Sequence, residues 1–431
     1  MVQNTKEIQL PGIKKIEKPA PFEYHIEMVG EESTLYTIPG MQNLGLVKVE
    51  IVLNRGRFDE QKKLSSRFCA RMLKEGTQTR NQDDINDVFD FFGAQFNVRY
   101  QLDYASFSLI CLTKYCKELI PLVFEIISQP QFDRVELARL KKQAQSKLKL
   151  SLADNDSLSF RILTEKIFGS QHPYGYNSTV SDIDAIQIED LLEFHERYYR
   201  KPNFKVFLSG SFNQDIQNTL LEYMHLLPEG NQESTDDVVF DALDPAGPGT
   251  YFTKNEYAFN TQSSIKMGKR IVQRHHPDYV PIHFTNTLLG GFFGSRLMQN
   301  IREKEGLTYN IFSDLEPMRH DAYFLIATDV KTQNIDIVIG LIHEQLEKLE
   351  QELVGEKEFG MVRNYIKGYL LSSLDGVFSK AEIVKILALE NMGVPWMYDF
   401  FEKLDEIVPE DIPNLVKKYL KKDELYTVVV N

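Results

Sequence analysis

Arg67 and Arg71 stand four residues apart in the stretch Arg67-Phe68-Cys69-Ala70-Arg71-Met72-Leu73-Lys74-Glu75-Gly76-Thr77. On a helix this spacing puts two side chains on one face, one turn apart, as a pair of imidazoles needs in order to share one metal ion. Guanidiniums keep their protons, so neither arginine can ligate a cation. None of the nine histidines rebuilds a metal site elsewhere. His275 and His276 are adjacent and point different ways on most backbones, and His343-Glu344 and His195-Glu196 each lack the second histidine of H-E-x-x-H. Cys69, Cys111 and Cys116 are odd in number and without C-x-x-C spacing, which reads as buried or incidental thiols. Nucleophilic catalysis has no support, because no G-x-S-x-G elbow occurs. Gly290, Gly291 and Gly294 are not followed by Gly-Lys-Ser/Thr. Their periodicity suggests a helix N-terminus and a permissive backbone near a peptide path, not a phosphate loop.

The elements that carry these residues come in two similar sets. Ile186-Gln187-Ile188-Glu189-Asp190-Leu191, Phe194, Tyr198 and Lys201 lead into Val206-Phe207-Leu208. The same order returns in Ile407-Val408-Pro409-Glu410-Asp411-Ile412, Leu415, Tyr419 and Lys422 before Val428-Val429-Val430. Each copy reads as a capped amphipathic helix entering a strand. A second pair agrees: strands opening at Asp103-Tyr104 and Asp321-Ala322 precede long helical stretches, through about Leu152 and from about Ile335 to Leu374. The expectation is an α+β protein of two similar domains, each a mostly antiparallel sheet flanked by helices. The domains span 20–227 and 251–431. Between them, at 228–250, lies a polar, Pro/Gly-punctuated linker.

The 67–77 stretch resembles the zinc-binding helix of the pitrilysin, insulin-degrading-enzyme and mitochondrial-processing-peptidase superfamily, the inverzincins. Their signature is H-x-x-E-H, followed by a run ending in Gly-Thr. By that resemblance Arg67 and Arg71 occupy the ligand positions and Ala70 the place of the general base. Active members add a glutamate about seventy to eighty residues later as third ligand. This chain has no glutamate between Glu136 and Glu165, and the expected neighbourhood, Gln145-Ser146-Lys147-Leu148, offers a lysine. Two like charges at 4 Å repel by about 4 kcal/mol at an effective dielectric near 20, so Arg67, Arg71 and Lys147 would oppose a metal if they converge. They could equally be solvated or paired with acids.

The likeness continues through the chain from about residue 20 to 431. Phe92-Gly93-Ala94-Gln95-Phe96-Asn97-Val98 looks like the family's G-A-x-x-N segment, an exposed strand that pairs with extended substrate. Ala94, Phe96, Asn97 and Val98 are then substrate-binding candidates, and an internal strand is the plainer alternative. His172-Pro173-Tyr174-Gly175 resembles the H-P-x-G loop, where His172 reads as structural. Gln262, Ile265, Gly268, Pro277-Asp278-Tyr279, Asn286 and Leu289-Gly290-Gly291 match the C-terminal domain. The family's Arg and Tyr, seven residues apart, correspond to Arg302 and Tyr309, both intact. Their implied role is catalytic in trans: steadying the substrate carbonyl and the developing oxyanion at a facing zinc site. Arg296 is expected to pair locally with an acid.

The chain has 431 residues, 42% of them hydrophobic and 26% charged, with a net charge of −13. This excludes a disordered class and argues against nucleic-acid binding, which needs a concentrated basic face. Residues 1–18 lack an apolar signal-peptide core, and no run approaches the roughly eighteen apolar residues of a membrane helix, so the expected compartment is the cytoplasm. A trimmed exported protein would read the same.

The resemblance implies a zinc-less subunit of a metallopeptidase heterodimer. It holds no cofactor itself, and its partner is a homologous subunit bearing zinc on an intact H-x-x-E-H. Unfolded peptides are the substrates, and in isolation the chain could be a monomer or a homodimer. The alternative is a structural or peptide-binding protein of the same fold, like the core proteins of respiratory complexes. A zinc peptidase with displaced ligands is the third reading.

Overall fold

The computed structural model describes residues 16–30, 33–230, 247–258 and 262–431, so the middle of the expected linker lies outside the described residues. The first half runs β1 (His25–Val29), β2 (Ser33–Pro39), β3 (Leu46–Leu53), α1 (Ser65–Met72), α2 (Gln82–Phe91), β4 (Gln95–Tyr100) and β5 (Ala105–Leu112). It continues through α3 (Thr113–Ser128), α4 (Arg134–Leu152), α5 (Asn155–Phe168), α6 (Val180–Ala185), α7 (Ile188–Tyr198), β6 (Phe204–Gly210) and α8 (Gln214–His225). The second half has β7 (Gly249–Thr253), β8 (Gln262–Arg270), α9 (Tyr279–Leu289), a π-helical segment Met298–Lys304, β9 (Thr308–Pro317) and β10 (Ala322–Lys331). Then follow α10 (Ile335–Gln351), α11 (Glu356–Ser373), α12 (Val377–Leu389), α13 (Pro395–Glu406), α14 (Asp411–Tyr419) and β11 (Tyr426–Val430).

Two sheets result, ordered β1-β2-β6-β3-β5-β4 and β7-β11-β8-β10-β9. Dropping β1, the two orders are the same, each with one parallel pair (β2 with β6, β7 with β11) and antiparallel pairing elsewhere. This is the expected α+β architecture with an internal repeat. Local chemistry repeats too. At the start of α7 the Gln187 N–H donates to Asp190 at 2.7 Å, and before α14 the Val408 N–H donates to Asp411 at 2.9 Å. In both cases a carboxylate three residues on satisfies a donor that the helix start leaves open. The two helical stretches expected to be continuous are each broken once, between α3 and α4 and between α10 and α11.

The inner strands read as near-continuous apolar runs because both sheet faces are covered. On one face of each sheet sits its own half's helices; on the other sits a helix from the opposite half. α12 packs on β2 and β6, joining Ile38, Val52 and Phe207 to Ala381, Val384 and Leu387. α5 packs on β8 and β11, joining Leu163, Ile167 and Phe168 to Leu325, Val428 and Val430. Polar ties reinforce the crossing. Lys385 on α12 reaches the buried Glu50 of β3 at 2.8 Å, and Lys48 reaches the same carboxylate at 2.6 Å. Burial pushes that carboxylate's pKa up, but the two ammoniums outweigh it and hold it below the usual range. On the other side Asn155 donates to the Gln262 carbonyl at 2.8 Å and Ser159 to Ser264 at 3.0 Å. Among the described residues no helix is long and apolar enough to cross a membrane.

Candidate functional site

α1 is held at its start by a carboxylate from outside the helix. Glu60 accepts from the Leu64 N–H at 3.0 Å, the Ser66 N–H at 3.2 Å and the Tyr176 hydroxyl at 2.6 Å, besides the Ser66 hydroxyl. Burial raises its pKa, and those donors oppose the rise. Leu64 sits at φ 74, a left-handed conformation that a branched side chain adopts only under constraint. Phe68, Cys69, Ala70 and Met72 are buried against the sheet, so Ala70 is wholly inside the core.

Arg67 and Arg71 are half-buried, one turn apart. The Arg67 guanidinium lies 5.0 Å over the Tyr100 ring at the end of β4. Its Nε is buried and, among the described residues, has no hydrogen-bond partner. Arg71 Nη2 donates to the amide oxygen of Gln143 on α4 at 3.4 Å. Burial lowers the Arg71 pKa; the Tyr100 phenol opposes this and the neighbouring Arg67 charge adds to it. Glu75 on the same side is taken by Arg139, which also binds Glu136 at 2.6 Å. The α4 side chain that meets α1 is thus Gln143. Lys147, singled out from the sequence, is exposed one turn further on.

Among the described residues no group of three or more His, Cys, Asp or Glu side chains could hold a metal. The face that binds zinc in the resembled family therefore does not fit that ion: its side chains are two cations, an alanine and a neutral amide. His172 does not supply a ligand. It is buried, accepts the Tyr174 N–H at Nδ1 (3.0 Å) and stacks on Phe168, and burial pushes its pKa down to about 4.

Among the described residues β4 is an edge strand bonded only to β5, so one row of its main-chain groups is open to another strand. Gly93 at φ 60 turns the chain out of α2 into it. Ala94 and Phe96 point inward, Phe96 stacking on Phe89 at 5.0 Å; Val98 is half-buried and Asn97 exposed. A cavity of ≈460 Å³, lined among others by Ile85, Phe89, Phe96 and Asn97, lies beside it.

β9 is the matching edge of the second sheet, and Gly306 at φ 65 enters it as Gly93 enters β4. Ile311, Ser313 and Leu315 are buried, so strict alternation would bury Tyr309 as well. It does not. Ile311 faces Thr328 and Thr308 faces Val330, leaving Tyr309 and Asn310 opposite the single residue Asp329, a β-bulge. Threonine hydroxyls hold it: Thr308 donates to the Asp329 carbonyl at 2.8 Å, and Thr328 donates to the Asn310 carbonyl at 2.9 Å. Tyr309 consequently stands 87% exposed. Arg302, from the π-helical segment just before, is half-buried, 5.0 Å over the exposed Phe293 ring and paired with Glu303. No hydrogen bond or ion pair among the described residues joins Arg302 or Tyr309 to Arg67 or Arg71. Arg296 makes the expected local pair, bidentate to Glu358 at 2.9 and 3.0 Å.

The expected helix start is found after Gly294, where the chain turns helical from Arg296, but not at Gly290. Gly290 closes α9, its N–H donating to the Asn286 carbonyl at 2.9 Å. A Cβ there would come 2.4 Å from the Ser313 nitrogen, so only glycine lets the helix end abut β9. The bulge, Glu60 and Gln143 escaped sequence reasoning.

Residues 45–173 match the family model described as Insulinase (Peptidase family M16), and residues 185–366 match that described as Peptidase M16 inactive domain. The chain is 25% identical over 317 residues to the "Non-peptidase homolog YmxG" of Helicobacter pylori, 72% of each chain. It is 21% identical over 325 residues to the "Uncharacterized zinc protease YmxG" of Bacillus subtilis, covering 73% of this chain and 75% of that one. Its fold is similar to a crystal structure of a peptidase M16 inactive domain from Pseudomonas fluorescens. There the TM-score is 0.85 at 22% identity, over 95% of this chain and 98% of that one.

Proposed function

This chain belongs to the M16 (insulinase) peptidase family with the zinc positions of its motif helix replaced, and from that premise we propose that it is the non-catalytic subunit of a zinc-dependent peptidase heterodimer. The observation that carries the reading is the bulge that turns Tyr309 outward beside Arg302. A helix that cannot hold metal gives the chain no use for such donors on its own account. Facing a homologous subunit with an intact H-x-x-E-H, Arg302 would offer a fixed fork of donors and Tyr309 one directional O–H to the carbonyl oxygen at the scissile bond. The peptide would lie as an added strand along β4, drawing affinity from main-chain bonds. Ala94 and Phe96 would contribute through their backbone only, and Asn97 through its exposed side chain. The setting assumed is the cytoplasm, which suits three buried free thiols.

The test is peptide cleavage by the pair reconstituted with its zinc-bearing sibling. Arg302→Ala and Tyr309→Phe should each lower kcat by about 10²–10³ while leaving complex formation intact. Unchanged cleavage would end the proposal. The second reading, a structural or peptide-binding protein, draws support from Arg302's existing contacts with Glu303 and Phe293, which an in-trans role would have to open. It predicts peptide binding with no sibling in native extract.

A further inference from the structure

Among the described residues no carboxylate is hydrogen-bonded or ion-paired to either guanidinium on α1, and Glu75 attracts Arg71 only from a distance. Each nearby carboxylate is spoken for: Glu60 by two N–H groups and two hydroxyls, Glu75 by Arg139. Arg71's partner on α4 is a neutral amide, and Arg67 keeps a buried Nε without an acceptor among the described residues. Like charges one helical turn apart repel, and a buried donor left unpaired costs free energy, so the pair is poised for an anion. Beside Arg67 lies a cavity of ≈130 Å³ whose walls include Tyr100, Arg57, Glu60 and Tyr176. That is room for one carboxylate group and little more. Arg57 is occupied there by the Pro173 and Tyr176 carbonyls, at 3.1 and 3.2 Å, which leaves Arg67 as the open cation among the cavity's described walls, with Arg71 one helical turn beyond them.

Position narrows the ligand. Tyr100, which carries the Arg67 guanidinium on its ring, is the last residue of the open edge β4. A peptide added parallel to β4 ends at this point. We infer that Arg67 and Arg71 form a carboxylate site that captures the free C-terminus of a peptide lying along β4. The inference rests on the peptide-binding part of the proposed function, but not on the sibling subunit or on Arg302 and Tyr309. Substitution has then not merely emptied the metal position; it has reversed the charge of the ligand the face accepts. Planar, forked donors at a bidentate partner explain arginine in place of lysine.

The experiment is fluorescence anisotropy with three short labelled unstructured peptides, the first two free of Asp and Glu, titrated with the full chain. One peptide ends in a carboxylate, one in an amide, and one is an amide with a penultimate Glu. The acid should bind about tenfold or more tighter than the amide, the scale of one charge-assisted pair. The difference should vanish in the Arg67→Gln/Arg71→Gln double variant and shrink in Arg71→Lys, which keeps charge without the fork. The double variant should melt no lower than the parent, since it relieves the like-charge repulsion between two half-buried side chains. Equal binding of acid and amide by the parent chain, or a difference that survives the double variant, would overturn the site. Recovery of full affinity by the Glu-bearing amide would overturn the chain-end assignment in favour of an acidic side chain. If none of the peptides binds, the peptide-binding reading falls with it, a result distinct from binding without discrimination.

Discussion

β4 and β9 occupy the same place in two equivalent sheets, yet they present opposite things to solvent. At β4 the aromatic four residues before Tyr100, Phe96, is turned in and packed on Phe89. At β9 the residue in the corresponding place after the left-handed glycine, Tyr309, is turned out. One extra residue makes the difference, and two threonine hydroxyls hold it in place. The first edge is regular main chain beside a positive pair, suited to hold a chain of any sequence. The second gives up regularity and displays one phenol. The frame is shared, and a local register change makes the two edges differ.

Substitutions at the paired aromatics separate the two edges most sharply. Phe96→Ala should destabilise the chain by about 3–5 kcal/mol in urea unfolding, whereas Tyr309→Ala should stay within about 0.5 kcal/mol. Comparable losses would mean that the two edges are not built differently. Acid should act on both halves together. His195 and His283, one in each half, are held neutral by burial with pKa values of about 4, against about 6.5 in an unfolded chain. The unfolded chain binds protons first, so stability is complete above pH 6.5 and falls as the pH drops toward 4. His195→Gln, which keeps a donor for the Ile127 carbonyl, should flatten that fall by about 1–3 kcal/mol in melting curves across this range. A single transition is expected, and two would show the halves to be independent. Thr328→Val should cost about 1–2 kcal/mol and loosen the bulge, and Thr328→Ser should restore both. The smallest effect has the opposite sign: Arg67→Gln should raise stability by about 0.2–0.5 kcal/mol, by relieving repulsion with Arg71.

What was legible in the sequence was local or repeated. The helix-to-strand units at 186–208 and 407–430 and the i, i+4 arginines need only neighbours in the chain, and they stand where expected. The bulge depends on which residue of β10 faces which residue of β9, and no spacing within β9 carries that information. Gln143 rather than Lys147 meets Arg71 because the packing of α4 against α5 and α6 sets its rotation. Gly290 belongs to a helix end, and Ser313, twenty-three residues away, closes on it where no side chain would fit. Glu60 reads as one surface acid among many until Tyr176 and the start of α1 converge on it.

The crossing of α5 and α12 limits what descent can remove. Severing the chain at its connector would unroof both sheets at once, leaving Ile38, Val52 and Phe207 bare on one side and Leu325, Val428 and Val430 on the other. Either fragment would be a sticky, aggregating remnant and not a smaller version of the protein. The half that carries positions 67–71 is therefore needed to cover the other half's sheet, whether or not those positions hold a metal.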